Sequence, residues 1–354
     1  MPKSRFQDSK LIRLLSIPIS IVGVILVFIA IIVAWNLVLG KGNNNQNNNT
    51  SKTEEIKAVC FRRKIDGVCL DSKEKTNLYP VAIMVENMYE AWPLSGIDKA
   101  NLVIEAPVEG GIPRLLAVYA SDENIPQIGP VRSARPYYLD WSEEFSALYL
   151  HVGGSPEALA KINTYNIFDL NQFFNDQYFW RDKKRSMPHN VYTSSDLIAK
   201  ALTAKDLTEV GYESWLYKDE AKLESRPTEV KDITIGFQDP IYLAIWKYNK
   251  ETNDYTRYEG KKQQKIDAVE IRAKNIAVQI ANIQILDTIG RRRIVTISEG
   301  QAMVFRDGVA IEGKWKKPSR GARTKFFDSN GKEIEFNGGT TWIEVAGDVK
   351  LIGY

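Results

Sequence analysis

Residues 147–165 read ALYLHVGGSPEALAKINTY. The opening run, Ala147–Val152, is short and apolar and stops at Gly153-Gly154, which predicts a buried strand. Ser155 suits a helix cap and Pro156 a first helical position, so a helix is expected over Pro156–Tyr165. Strand, glycine turn, cap and helix in this order are a building unit of α/β folds. The alternation continues outward on both sides. Val81–Glu86, Leu102–Ala106 and Leu115–Ala120 read as further buried strands. Pro136–Phe145 and Ser195–Ala204 read as helices, the second with Ser194 as its cap. An α/β N-terminal domain is therefore expected over residues 59–217.

The charged stretch 218–231 marks a linker, and the pattern changes beyond it. Ile233–Phe237, Ile241–Tyr248, Tyr255–Tyr258, Ile276–Leu286, Arg293–Ser298, Ala302–Arg306 and Thr341–Val345 read as strands. Asp307-Gly308 and Asn330-Gly331 are dipeptides that accept positive φ and close hairpins. A smaller, β-rich C-terminal domain is expected over 232–354. Its aromatics, Trp246, Tyr248, Tyr255, Tyr258, Trp315 and Trp342, suit a sugar-stacking surface or ordinary cross-strand packing, and packing is the commoner use. Arg291-Arg292-Arg293 reads as a solvated turn.

In front of both domains, residues 14–40 carry no charge and are long enough to span a bilayer as one transmembrane helix. Lys3, Arg5, Lys10 and Arg13 in the flank 1–13 place that end in the cytoplasm. No clean small-x-small cleavage site follows the apolar run, and no Cys stands at its end, so an uncleaved anchor is expected rather than a removed signal. Residues 41–58 are an Asn-rich flexible linker with little to bury. The chain is expected in the cell membrane as a single-pass protein with its bulk extracytoplasmic. Of 47 basic and 44 acidic residues, four and one lie within 1–40, leaving 43 of each outside. A neutral body excludes bulk electrostatic capture of nucleic acid. Cys60 and Cys69 lie close together in a compartment that favours pairing, so a disulfide is expected. With no neighbouring His they make only half a zinc shell, and neither a metal nor a cofactor is called for.

The informative polar residues stand at strand ends and turns of the first domain. They are Asn87, Glu105, Glu109, Arg114, Arg132, Arg135, His151, Gly153, Gly154, Ser155, His189 and Asn190. The chain has only two histidines, and both are among them. In α/β sheets, ligands bind where strands hand over to helices. Arginines bind carboxylate or phosphate in two-pronged fashion, and backbone N–H groups at a glycine turn before a helix favour anions. An anion-binding cleft follows, with a histidine as acid, base or donor and Glu105 or Glu109 orienting an arginine. The bland alternative is that each Glu–Arg pair is an internal salt bridge. No H-E-x-x-H, G-x-S-x-G or metal-ligand spacing occurs, so the residues name no reaction.

At these segments the chain resembles the YerB-like envelope proteins. The resemblance rests on Pro80-Val-Ala-Ile-Met-Val-Glu-Asn87, Leu94-Ser-Gly96, Glu105-Ala-Pro-Val-Glu-Gly-Gly-Ile-Pro-Arg114, Ile128-Gly-Pro-Val-Arg-Ser-Ala-Arg-Pro136, His151-Val-Gly-Gly-Ser-Pro156 and Pro188-His-Asn-Val-Tyr-Thr193. Gly313-Lys-Trp315 and Gly338-Gly-Thr-Thr-Trp-Ile343 extend it to the C-terminal half. The resemblance implies an uncharacterised N-terminal domain followed by a smaller one, export, typically as a lipoprotein, and a suggested association with peptidoglycan synthesis. The sequence departs from that pattern in having a helix where the lipidated Cys would stand. The expected function is binding of a cell-wall component or wall-synthesis protein through the Arg/His-lined cleft. The alternative is a hydrolase or transferase acting on an anionic envelope glycan, peptide or polyprenyl phosphate.

Overall fold

Aliphatic runs that are buried on both faces belong inside a sheet covered on both sides, and the first half of the chain supplies several. In the computed structural model, which describes residues 30–32, 34–35 and 60–354, these runs become β1 (Val81–Val85), β2 (Leu102–Pro107), β3 (Pro113–Tyr119) and β4 (Leu148–His151), and the short polar segment Asp169–Asn171 adds β5. The helices are α1 (Pro136–Ser142), α2 (Pro156–Tyr165) and α3 (Ser195–Ala204). Ser155 and Ser194 cap α2 and α3, each accepting an N–H from three residues on. The flank 1–13, the membrane helix 14–40 and the linker 41–58 fall outside the described residues, apart from 30–32 and 34–35, which are helical. Among the described residues no helix is long and apolar enough to cross a membrane.

Past residue 232 come β6 (Ile233–Ile235), β7 (Ala244–Asn249), β8 (Asp254–Glu259), β9 (Asn275–Ile280), β10 (Ser298–Arg306), β11 (Val309–Lys317), β12 (Lys325–Asp328), β13 (Thr341–Ala346) and β14 (Ile352–Gly353). No α-helix occurs there among the described residues, in keeping with a β-rich second half. Asp307 and Gly308 both take positive φ and turn β10 into β11.

The two sequence halves are joined in one sheet. Its strand order is β12-β11-β10-β9-β13-β2-β3-β1-β4-β5. The junction is β13 of the second half lying parallel to β2 of the first, with Glu344 beside Glu105. β9 is parallel to β13, β1 to β4, and β4 to β5. Only β3 separates β2 from β1, antiparallel to both. All six of these strands therefore run the same way, and their carboxyl ends gather along one edge.

One face of the sheet is covered by α1 and α2 through Tyr137, Tyr138, Trp141, Ala158 and Ile162. The other face is covered by a smaller sheet of β8, β7, β6 and β14, with α3 beside it. Trp246, Tyr255, Trp315 and Trp342 are all buried, so these aromatics are packing and not a sugar platform. Cys60 and Cys69 form a disulfide, with Cα atoms 5.0 Å apart. Their hairpin sits at the amino ends of the strands, where Gly339 donates its N–H to Asp66.

Candidate functional site

Side chains alternate across a strand, and the extension of β1 shows the consequence. Glu86 and Asn87 follow Val85 and point to opposite faces of the sheet. Glu86 enters the helix-covered face. There it pairs with Arg132, and it lies 4.0 Å from Arg114 Nη2 and 3.7 Å from His189 Nδ1. Arg114 is carried by β3. Arg132 is held by a backbone bond from its own N–H to Met84, which lays the Gly129–Arg132 segment along β1. Arg135 stands immediately before α1 and makes two bonds to Glu109, of 2.6 and 2.7 Å.

Burial pushes the Glu86 carboxyl up, but Arg114 and Arg132 together hold it below the ordinary carboxylate value. Glu109 is likewise pushed up by burial and held low by Arg135. Both are ionised partners. The Arg114 guanidinium is depressed by burial and by the charges of Arg135 and Arg132, against the pull of Glu86. Arg114 is 4% exposed, whereas the Arg132 side chain keeps 24% of its surface. Three guanidinium groups thus share two carboxylates. Arg114 bonds through Nη1 to the Ser133 carbonyl, at 3.0 Å. Its Nε has no hydrogen-bond partner among the described residues, nor has His189 Nδ1 or the hydroxyl of Tyr149. Tyr149, on β4, is near enough to feel the charges of Arg114 and Arg135.

Several expected members of an anion cradle are engaged elsewhere. His151 is fully buried, with Nδ1 2.7 Å from the Gly153 carbonyl and Nε2 3.0 Å from Asp169. Both ring nitrogens face acceptors, so the ring is a fixed strut and not a free acid or base. Gly153 has φ +59°, and its N–H donates to Asn171 while that of Ser155 donates to Ala134. With the Ser155 hydroxyl capping α2, the turn at Gly153–Ser155 is folded onto the protein, and Gly154 pairs with Ala134 as an isolated bridge. Asn190 is buried and accepts from Arg181.

Asn87 and Glu105 lie on the opposite face, in a separate buried cluster. Arg257 of β8 bonds Glu105 at 2.7 Å and Glu344 at 3.1 Å and sits 3.6 Å from Glu259. Its guanidinium stacks over Trp342, 4.6 Å from the ring centre. Asn87 Nδ2 donates to both Glu105 and Glu259, and Trp246 and Trp342 donate to Glu344 and Glu105. Burial raises all three carboxyls, that of Glu344 to about 8. Sequence reasoning missed Arg257, Glu259 and Glu344. The available signal was a lone Glu within each of two aliphatic strands, Leu102–Pro107 and Thr341–Ala346.

Four cavities, of about 660, 300, 510 and 340 Å³, lie elsewhere in the fold, and none is lined by the twelve expected residues. Among the described residues no group of three or more His, Cys, Asp or Glu is placed to hold a metal.

Comparison with known proteins identifies the relatives. Family models described as the N-terminal and C-terminal domains of a protein of unknown function (DUF3048) match residues 67–208 and 233–343. The chain is 33% identical over 280 residues to the Bacillus subtilis (strain 168) protein named "Putative lipoprotein YerB", covering 77% of this chain and 83% of that one. A crystal structure of YerB from Bacillus subtilis superposes with a TM-score of 0.71 at 31% identity, covering 82% of this chain and 98% of the other.

Proposed function

The chain belongs to this family, DUF3048, and from that premise we propose that it is an envelope protein that binds an anionic cell-wall component or wall-synthesis partner through Arg114, Arg132 and Arg135. One observation carries the reading. Three guanidinium groups share two carboxylates, and Arg114 Nε, the Tyr149 hydroxyl and His189 Nδ1 beside them are buried without hydrogen-bond partners. A buried donor left unpaired costs about 1–3 kcal/mol, and an anion or a water relieves that cost. Arg132, the most exposed of the three, is the entry point.

A membrane-anchored position outside the cytoplasm is supported by the name of the Bacillus relative, "Putative lipoprotein YerB", and by the sequence. In this chain the anchor would be the uncharged run 14–40 crossing once, with the basic flank 1–13 in the cytoplasm. The test is capture of wall and membrane fractions by the full-length protein, with bound molecules identified by mass spectrometry. Arg132→Ala should weaken capture at least tenfold while lowering stability by no more than about 1 kcal/mol. Undiminished capture would rule out the arginine site.

A second reading, hydrolysis or transfer on the same anionic substrate, has one observation in its favour. His189 stands 3.7 Å from Glu86 on the partly exposed side of the cluster, a separation that a substrate complex can tighten into the hydrogen bond of a carboxylate-oriented acid or base. Turnover of a captured molecule that His189→Ala abolishes while leaving capture intact would favour it.

A further inference from the structure

A second site, unconnected with the arginine cluster, lies where β2 and β13 end. Pro107 and Ala346 are the last strand residues there, and a cavity of about 300 Å³ opens beyond them. That is at the lower end of the range for small-molecule sites, about 300–1,000 Å³. It occupies the carboxyl edge of parallel strands, at the seam between the two sequence halves. Its far wall is a hairpin of Ile283–Ile285 and Arg292–Ile294. Ile283 and Ile285 of that hairpin, with Leu351, give it an aliphatic lining. The rim is aliphatic too. Ile285 is 62% exposed and Leu351 43%, although apolar side chains so placed gain by leaving water.

One cation stands at the mouth. Arg292 lines the cavity and is fixed by bonds to the Val108 carbonyl, at 2.7 Å, and to Gln238, at 3.0 Å. It has no carboxylate partner among the described residues. The triplet Arg291-Arg292-Arg293 is therefore not merely a solvated turn. Its middle member offers an uncompensated charge beside an apolar cavity.

We propose that this cavity binds a single-chain anionic amphiphile, with its aliphatic tail against Ile283, Ile285 and Leu351 and its phosphate or carboxylate head on Arg292. The complementarity is of two kinds at once, apolar lining to tail and unpaired guanidinium to head. Neither a plain hydrocarbon nor a small inorganic anion satisfies both.

The test uses the full-length chain and a ten-carbon alkyl phosphate carrying a diazirine at the tail. After photolysis, adducts are located by mass spectrometry. Labelling is expected on residues 283–285 and 345–351. Gly347 lines the cavity, and a Cβ there would meet nothing nearer than Ile283 at 3.7 Å. Gly347→Leu should therefore be tolerated and cut labelling at least tenfold. If that variant does not fold, Ile285→Ser serves in its place. The matching alkyl alcohol should label at least fivefold less, and Arg292→Gln should erase that difference. Two-chain phosphatidylglycerol should compete poorly. The proposal is overturned by labelling that maps elsewhere, by labelling unchanged in both cavity variants, by equal labelling with the alcohol, or by equal competition from the two-chain lipid. None of these outcomes touches the Arg132→Ala experiment.

Discussion

Glu86 and Asn87 are chain neighbours, yet they serve two networks on opposite faces of a sheet. Sequence reading located the polar segments, and Glu105, Arg114, Arg132 and Arg135 do fall in buried or half-buried polar clusters. It did not sort them by face, because the strands are apolar on both sides and carry no alternation to read. The sorting changes what mutations should do. Glu86→Ala strands Arg114 in the interior, and removing one partner of a buried pair costs about 3–5 kcal/mol. Arg132→Ala removes a half-exposed partner and should cost about 1 kcal/mol or less. His151→Ala opens a fully buried space and frees Asp169, so it should lose about 2–4 kcal/mol, in the range of other large buried truncations. Urea unfolding of the three variants tests this order. Equal losses for Arg132→Ala and Glu86→Ala would mean that the arginine is structural after all.

At the scale of elements, the sequence was most legible where local chemistry acts alone. Helices α2 and α3 have the expected limits because caps and a first-turn proline fix them, and Asp307-Gly308 makes the expected tight turn. β11 was missed. Its residues Val309–Lys317 interleave Glu and Lys with apolar residues and are mostly exposed, so they resemble a loop until paired with β10. Motif residues that suggest a site can also be packing. An added Cβ at Gly313 would lie 1.8 Å from the Phe327 carbonyl, where β11 meets β12. Gly313→Ala should therefore push β12 away and cost about 1–3 kcal/mol, as overpacking does. Gly331, with φ +79° and open space around it, is the control. Its alanine variant should cost about 1 kcal/mol, the left-handed backbone term alone. A loss at position 313 no larger than that at 331 would refute the close approach. The hairpin at Cys60 and Cys69 makes a parallel case. Replacing both cysteines by serine reopens a short loop and should lower stability by about 2–3 kcal/mol.

At the scale of the molecule, the boundary at 218–231 divides the sequence but not the core, because β13 fills the place beside β2. Without the second half, β2 loses its neighbour and Glu105 loses Arg257 and Glu344. Residues 60–354 should therefore unfold in one transition by calorimetry, and 60–217 alone should show none. The same junction sets a pH dependence. Arg257 neutralises one of the three carboxyls of Glu105, Glu259 and Glu344, so the buried cluster is closest to neutral when the other two hold protons. Their raised pKa values have that meaning: Glu344 keeps its proton to about pH 8. In the unfolded chain all three release protons near the ordinary carboxylate value of about 4.3. A native state that binds more protons than the unfolded one loses stability as pH rises. This stabilisation is thus fully present below about pH 4.3 and is lost as pH climbs towards the folded value of about 8 for Glu344. Glu86 and Glu109 act in the opposite sense, because their depressed values mean that stability is lost on acidification. The two clusters together predict a maximum in the mildly acidic range. Glu344→Gln keeps the shape and supplies an amide donor towards Glu105 without a titrating proton. It should remove Glu344's share of the decline towards pH 8, leaving that of Glu105 and Glu259, and leave the acid limb alone. If denaturation midpoints of the variant fall as steeply over that range as those of the wild type, the buried cluster does not hold those protons.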